Sequence, residues 1–277
     1  RLPIGHKKKM DLQLQGKTAI VTGGAKGIGE GIVRSLCREG VRVAIVDRNP
    51  RTAETLIADL MESGGIAICV PTELTDLKAC GMAVEKTLEW SGGSLDILVN
   101  NAGVNDGVGL DAGPEDFLAS LHKNIVHVYA LAHYALDALK ASRGTIINIT
   151  SKVAETGQGG TSGYAASKGA MNGLTREWAV DLAPHGIRVN TVAPSEVMTP
   201  LYRKWLDTLP NPGETLRRIE AQIPLGKRMT TKEEIADLAV FLCSPLSGHT
   251  TGQILHPDGG YVHLDRSCTS ALKPDTQ

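Results

Sequence analysis

From residue 17 onward, short apolar runs alternate with longer stretches in which apolar residues recur every three or four positions. Lys17-Thr-Ala-Ile-Val-Thr22 is the first run, β-branched and stopped by a glycine cluster. A continuous apolar run bounded in this way predicts a buried strand. Beyond the glycines, Ile28, Ile32, Val33 and Leu36 share one helical face. The pattern then predicts a strand at 41–46, a helix at 51–63, a strand at 66–70, a helix at 76–90 and a strand at 95–100. It continues with a helix at 115–141, a strand at 144–150, a helix at 162–183, a strand at 187–193, a helix at 231–243 and a strand at 252–256. Strands separated by single helices make βαβ units, so the chain is expected to be α/β, with a doubly wound, mostly parallel seven-stranded sheet covered on both faces.

No linker divides this alternation, so one domain is expected over residues 14–264. Residues 1–13 read as a flexible leader in which Met10 can serve as the natural start, and 265–277 as a polar tail. The irregular stretch at 194–224 holds Pro194, Pro200, Pro210, Pro212 and Pro224. It follows the sixth strand, where a doubly wound sheet presents strand ends to a ligand, and is expected to be a substrate loop or lid. The 277 residues are 42% hydrophobic and 21% charged with a net charge of −1, which argues against disorder and against a general nucleic-acid or anionic-membrane binder. The cysteines at 37, 69, 80, 243 and 268 include no C-x-x-C pair, and no histidine stands at finger spacing, so neither a disulfide framework nor a metal site is expected. With no membrane-length apolar run and no secretory signal, the expected location is cytoplasmic. The 31 glycines against two phenylalanines point to tight turns and close packing.

Some of those glycines have an evident task. Gly23-Gly24-Ala25-Lys26-Gly27-Ile28-Gly29 joins the first strand to the first helix. Glycine permits the positive φ of a sharp turn and lets a pyrophosphate approach backbone amides at the positive end of a helix. Asp47 ends the second strand, where a carboxylate can accept hydrogen bonds from both ribose hydroxyls of an adenosine. That carboxylate favours NAD, whereas Lys26 and Arg48 can neutralise the 2′-phosphate of NADP. NAD is therefore the expected cofactor, with NADP possible.

Tyr164-Ala-Ala-Ser-Lys168 sets a phenol and an ammonium on one face of a helix. A phenol of pKa ~10 is a poor base at neutral pH, and a neighbouring cation lowers that value. Such a pair is common by chance, and three other features single it out. Ser151 follows the strand Gly144-Thr-Ile-Ile-Asn-Ile-Thr150, the fourth strand ends in Asn100-Asn101-Ala102-Gly103, and Asn124 is a polar residue inside an apolar helix.

With Thr22 to Gly29 and the closing Asp258-Gly-Gly260, these residues resemble the short-chain dehydrogenase/reductase family over about residues 11 to 263. The resemblance implies a Rossmann-type oxidoreductase with Asn124, Ser151, Tyr164 and Lys168 as its catalytic set. Tyr164 would be the acid/base, and Ser151 would orient the reacting oxygen. Lys168 would lower the tyrosine pKa and hold the nicotinamide ribose, while Asn124 would support a proton relay. Hydride would pass directly to nicotinamide without a metal. Gly23, Lys26, Gly27, Ile28, Gly29, Asp47, Arg48, Asn101, Ala102 and Gly103 would face the cofactor, joined by Val197 and Thr199 of the late loop. Glu73 and Leu74 stand where the family has an aspartate for the adenine, and Pro194-Ser195 replaces the family's Pro-Gly. A homotetramer built on the two long helices is also implied.

The candidate pocket is polar, with Asn105, Asp106, Lys152, Glu155, Gln158 and Glu196 around Ser151 and Tyr164. Groups of this kind suit a sugar or other polyol, because a site built to pair hydroxyls rejects analogues lacking them. Residues 100–113 and 196–203 are similar to those of L-fucose dehydrogenases within the family, which implies oxidation of an aldose to its lactone. An NADPH-dependent carbonyl reductase of the 3-oxoacyl type and a non-catalytic dinucleotide sensor are the alternatives.

Overall fold

The structure is a computed structural model describing residues 10–264; the expected tail at 265–277 and residues 1–9 of the expected leader lie outside it. Seven strands, β1 Thr18–Thr22, β2 Arg42–Asp47, β3 Ile66–Pro71, β4 Ile97–Asn100, β5 Thr145–Ile149, β6 Arg188–Val192 and β7 Ile254–Leu255, form one sheet in the order β3-β2-β1-β4-β5-β6-β7. Every pairing is parallel, with Val21 opposite both Ile45 and Val99. The strand order reverses between β1 and β4, and that switch point opens the crevice above their carboxyl ends.

Both faces of the sheet are covered, which is why the central strands are buried from end to end instead of alternating. One face packs on α1 (Gly27–Arg38), α2 (Pro50–Glu62) and α9 (Lys232–Cys243), through Val33, Leu36, Leu56 and Val240. The other packs on α3 (Leu77–Ser91), α5 (His127–Ser142) and α6 (Ser162–Leu182), through Val84, Leu131, Leu139, Met171 and Trp178. Leu12 packs against the first layer and its carbonyl accepts the Ser244 hydroxyl.

Three elements differ from expectation in ways that bear on the site. The helix expected at 115–141 is α4 (Pro114–Leu121), a π-turn at His122–Val126 and α5, the wide turn being centred on Asn124. The stretch at 194–224 contains two short helices, α7 (Pro200–Leu206) and α8 (Pro212–Ala221), each started by a proline whose fixed φ suits a first helical turn. Finally, β7 is shorter than the run at 252–256, because Gly252 sits at a φ of 70° and Pro257 cannot extend the ladder.

Candidate active site

The glycine turn lies at the switch point. Gly23 and Gly27 have φ of 60° and 62°, a region closed to most side chains. A Cβ on Gly29 would overlap the Gly23 carbonyl oxygen and stand 2.6 Å from Asn101 Nδ2. Lys26 precedes α1 without capping it, which leaves the first-turn amides at Gly27, Ile28 and Gly29 open to an anion. Thr199 faces them, its Cβ 3.5 Å from where a Gly27 Cβ would be. This cradle fits a pyrophosphate lying between helix and late loop.

Asp47 is half-buried, its Oδ2 accepting from the Ala25 amide at 3.2 Å and its Oδ1 from Asn49 at 3.0 Å. It thereby braces the turn. Lys26 and Arg48 are exposed beside it. Glu73 is not placed as a free adenine partner: its carboxylate folds back onto the Thr75 amide and hydroxyl, while Leu74 packs into the second layer. Thr72, buried between Asp47 and Glu73, was not singled out by sequence.

Asn101, expected against the cofactor, instead spends its side-chain amide on the carbonyls of Thr22 and Gly23 and so holds the turn. The Thr22 hydroxyl accepts from the amides of Asn101 and Ala102. Gly103 leaves open the space beside Asn124 and Lys168, since a Cβ there would stand 3.2 Å from both Asn124 Oδ1 and Lys168 Nζ. Asn124 is fully buried: its amide donates to Ser120 O and its oxygen accepts the Val104 amide at 2.7 Å. The π-turn thus turns a polar group inward and ties it to the loop after β4.

Ser151, Tyr164 and Lys168 converge above β5, with Ser151 hydrogen-bonded to the Tyr164 phenol. Lys168, 2% exposed, places Nζ 5.6 Å from the centre of the tyrosine ring and donates to Ile149 O at 2.8 Å. Burial pushes the phenol up to about 12 against the opposing Ser151 hydrogen bond, and pulls the ammonium down to about 8. Desolvation is the larger influence on the phenol, and the Ser151 hydrogen bond opposes it. Nearby, burial and the Lys168 charge hold His127 down to about 4, so it is neutral.

Of the polar candidates, the structure unites Lys152 and Glu196, an ion pair next to Ser151. Lys152 Nζ also lies 4.2 Å over the Tyr261 ring. Burial and the Glu196 carboxylate raise Tyr202, which donates its hydroxyl to Glu196. Tyr202 and Tyr261 were not flagged by sequence, because no local spacing links them to Ser151. Asn105 is exposed and accepts from its own loop at Gly107, Gln158 is exposed, and Asp106 is taken by Ser120 and Lys123. Glu155 is drawn away to His256 and His263. In the late loop, Val197 bridges to Thr230 and Thr199 caps α7 through the Tyr202 amide.

A family model described as Enoyl-(Acyl carrier protein) reductase matches residues 23–262, a span that includes Asn124, Ser151, Tyr164 and Lys168. The chain belongs to the short-chain dehydrogenase/reductase family. It is 33% identical to L-fucose dehydrogenase of Bos taurus, over 95% of this chain and 96% of that one. It is also 33% identical to the 3-oxoacyl-[acyl-carrier-protein] reductase FabG of Thermotoga maritima, over 91% of this chain and all of the relative. The solved structure of Cj0485 dehydrogenase superposes with a TM-score of 0.88 at 45% identity, covering 94% of this chain and 99% of that one. The protein is thus an oxidoreductase of this family, using a nicotinamide cofactor and a small-molecule substrate. No helix among the described residues is long and apolar enough to cross a membrane.

Proposed function

We propose that this short-chain dehydrogenase/reductase is an NAD-dependent sugar dehydrogenase that oxidises the anomeric hydroxyl of L-fucose or a related aldose to the lactone. The observation that carries this reading is the polar wall of Lys152, Glu196 and Tyr202 beside Ser151 and Tyr164. A pocket for an acyl chain would instead be lined mainly by apolar side chains. The likeness to a mammalian L-fucose dehydrogenase supports the same substrate class.

In this reading Ser151 and Tyr164 hold the reacting oxygen from two sides, and the phenol exchanges its proton. Asn124, joined through its oxygen to the Val104 amide, fixes the loop that closes that side. Lys168 holds the ribose hydroxyls, and its buried charge draws the phenol pKa down when the site is filled. A bound NAD⁺ supplies the hydride acceptor and a second positive charge beside the phenol. Gly27, Ile28 and Gly29 hold the pyrophosphate, Asp47 the adenosine ribose, and Val197 and Thr199 the nicotinamide side. Exposed Tyr129 and Tyr134 on α5 and Val180 on α6 support assembly of a homotetramer through that face; a cytoplasmic location belongs to the same proposal.

The exposed bases Lys26 and Arg48 favour one other reading, NADPH-dependent reduction of a 3-oxoacyl thioester. A single screen separates the two: NAD⁺ reduction with L-fucose, L-galactose and D-arabinose, against NADPH oxidation with an acetoacetyl thioester. NAD⁺ reduction with at least one of the sugars is expected. Silence with all three, together with thioester turnover, refutes the sugar assignment.

A further inference from the structure

We propose that Glu155, His256 and His263 form a site for one divalent transition-metal ion, zinc fitting best, which pins the C-terminal segment to the loop that carries Ser151. Glu155 follows the short helical turn at Lys152–Ala154, His256 follows β7, and His263 lies near the end of the described chain. The fold brings them together across 101 positions of sequence.

The geometry is that of a nearly assembled site. His256 Nε2 is 3.1 Å from one Glu155 oxygen, and His263 Nε2 is 3.6 Å from the other. One donor atom from each residue lies within 4.8 Å of the other two. Ligands held ~2.0–2.1 Å from a tetrahedral zinc ion stand about 3.3 Å apart. Each imidazole stands near that edge from a different carboxylate oxygen, so both imidazoles have still to draw in towards a single ion held by the carboxylate. Their rings meet edge to face with centroids 4.6 Å apart. Two imidazoles and a carboxylate are a donor set that zinc takes, with a fourth position left for water.

A simple ion pair would need only one of these histidines, and a second feature points to a ligand. The three residues line a cleft of about 580 Å³ together with Asn172, Arg176 and Gln253. Asn172 is 6% exposed, and its buried Oδ1 has no hydrogen-bond partner among the described residues. An unmet acceptor costs ~1–3 kcal/mol, so this wall of the cleft carries an unsatisfied polar group. Arg176 on the same wall disfavours a loosely held hard cation, leaving nitrogen coordination to select the ion. Because Lys152 lies over Tyr261, the same two segments already touch beside the catalytic loop. A bound ion would therefore brace one wall of the active site.

The test uses tag-free, chelator-treated and dialysed protein, titrated with Zn²⁺ in a calorimeter and with Co²⁺ in an absorption cell. One ion per chain is expected, with the visible Co²⁺ bands of a four-coordinate nitrogen and oxygen site. His263→Ala and His256→Ala should each weaken binding by more than the ~10–100-fold that loss of an outer-shell partner costs. Zn²⁺ should raise the urea midpoint of the unaltered protein and not of these variants. The His263 side chain is 63% exposed, so its removal leaves the core intact and the comparison remains readable. Absence of stoichiometric uptake, or uptake that survives in the His256→Ala/His263→Ala double variant, overturns the site.

Discussion

Replacing Lys168 with methionine should stabilise the protein at neutral pH while abolishing turnover. The ammonium is 2% exposed, and its hydrogen bonds go to Ile149 O and Met171 Sδ, neither of which carries charge. Burial holds its pKa at about 8 instead of 10.5. At ~1.4 kcal/mol per tenfold change in proton affinity, that amounts to about 3 kcal/mol against folding. The sign follows from a folded-state pKa below the unfolded one. Below pH 8 both states keep the proton and the full cost applies. Between about 8 and 10.5 the folded state releases the proton while the unfolded state keeps it, so the cost fades and the wild-type protein gains stability. Methionine is similar in length and apolar, but strands the Ile149 carbonyl, an offset of about 1–2 kcal/mol. The net expectation is a gain of about 1–2 kcal/mol at pH 7, disappearing by about pH 10. Urea unfolding at both pH values, followed by circular dichroism, reads the difference. A variant less stable than wild type at pH 7, by an amount that does not change with pH, would refute the argument that Lys168 is held at the expense of stability.

Three further substitutions probe the rest of the site. Tyr164→Phe removes the proton-exchanging oxygen and should lower kcat by ~10²–10⁴-fold while NAD⁺ affinity, measured by calorimetry, stays near wild type; retained turnover sinks its role. Asp47→Ala frees the Ala25 and Asn49 amides and removes the charge that opposes a 2′-phosphate. It should move the NAD-to-NADP ratio of kcat/KM at least tenfold towards NADP, about 1.4 kcal/mol, and an unchanged ratio contradicts the assignment. Gly29→Ala forces a methyl group against the Gly23 carbonyl and Asn101. Thermal unfolding should register a loss of about 1–3 kcal/mol together with weaker NAD⁺ binding; a fully stable variant would mean that the turn is looser than described.

The features legible in the sequence are those in which neighbouring residues carry the whole message. Continuous apolar runs such as Thr18–Thr22 announce strands buried on both faces, and glycines at 23 and 27 announce a turn closed to other residues. The Tyr164 to Lys168 spacing likewise places two side chains on one helix face whatever the rest of the chain does.

What neighbours in sequence could not determine were the state and partners of those groups. Asn101 braces the turn and Asp106 serves Ser120 and Lys123, because residues 14 to 79 positions away reach them first. The π-turn at Asn124 depends on the Val104 amide, 20 positions earlier, and has no mark in the helical pattern. Charge is the clearest division. Spacing alone puts Tyr164 and Lys168 on one helix face, whereas burial in the folded protein pushes the phenol up to about 12 and pulls the ammonium down to about 8. A side chain's type and spacing follow from sequence, but the dielectric around it and the polar atoms within reach exist only once distant segments have packed together.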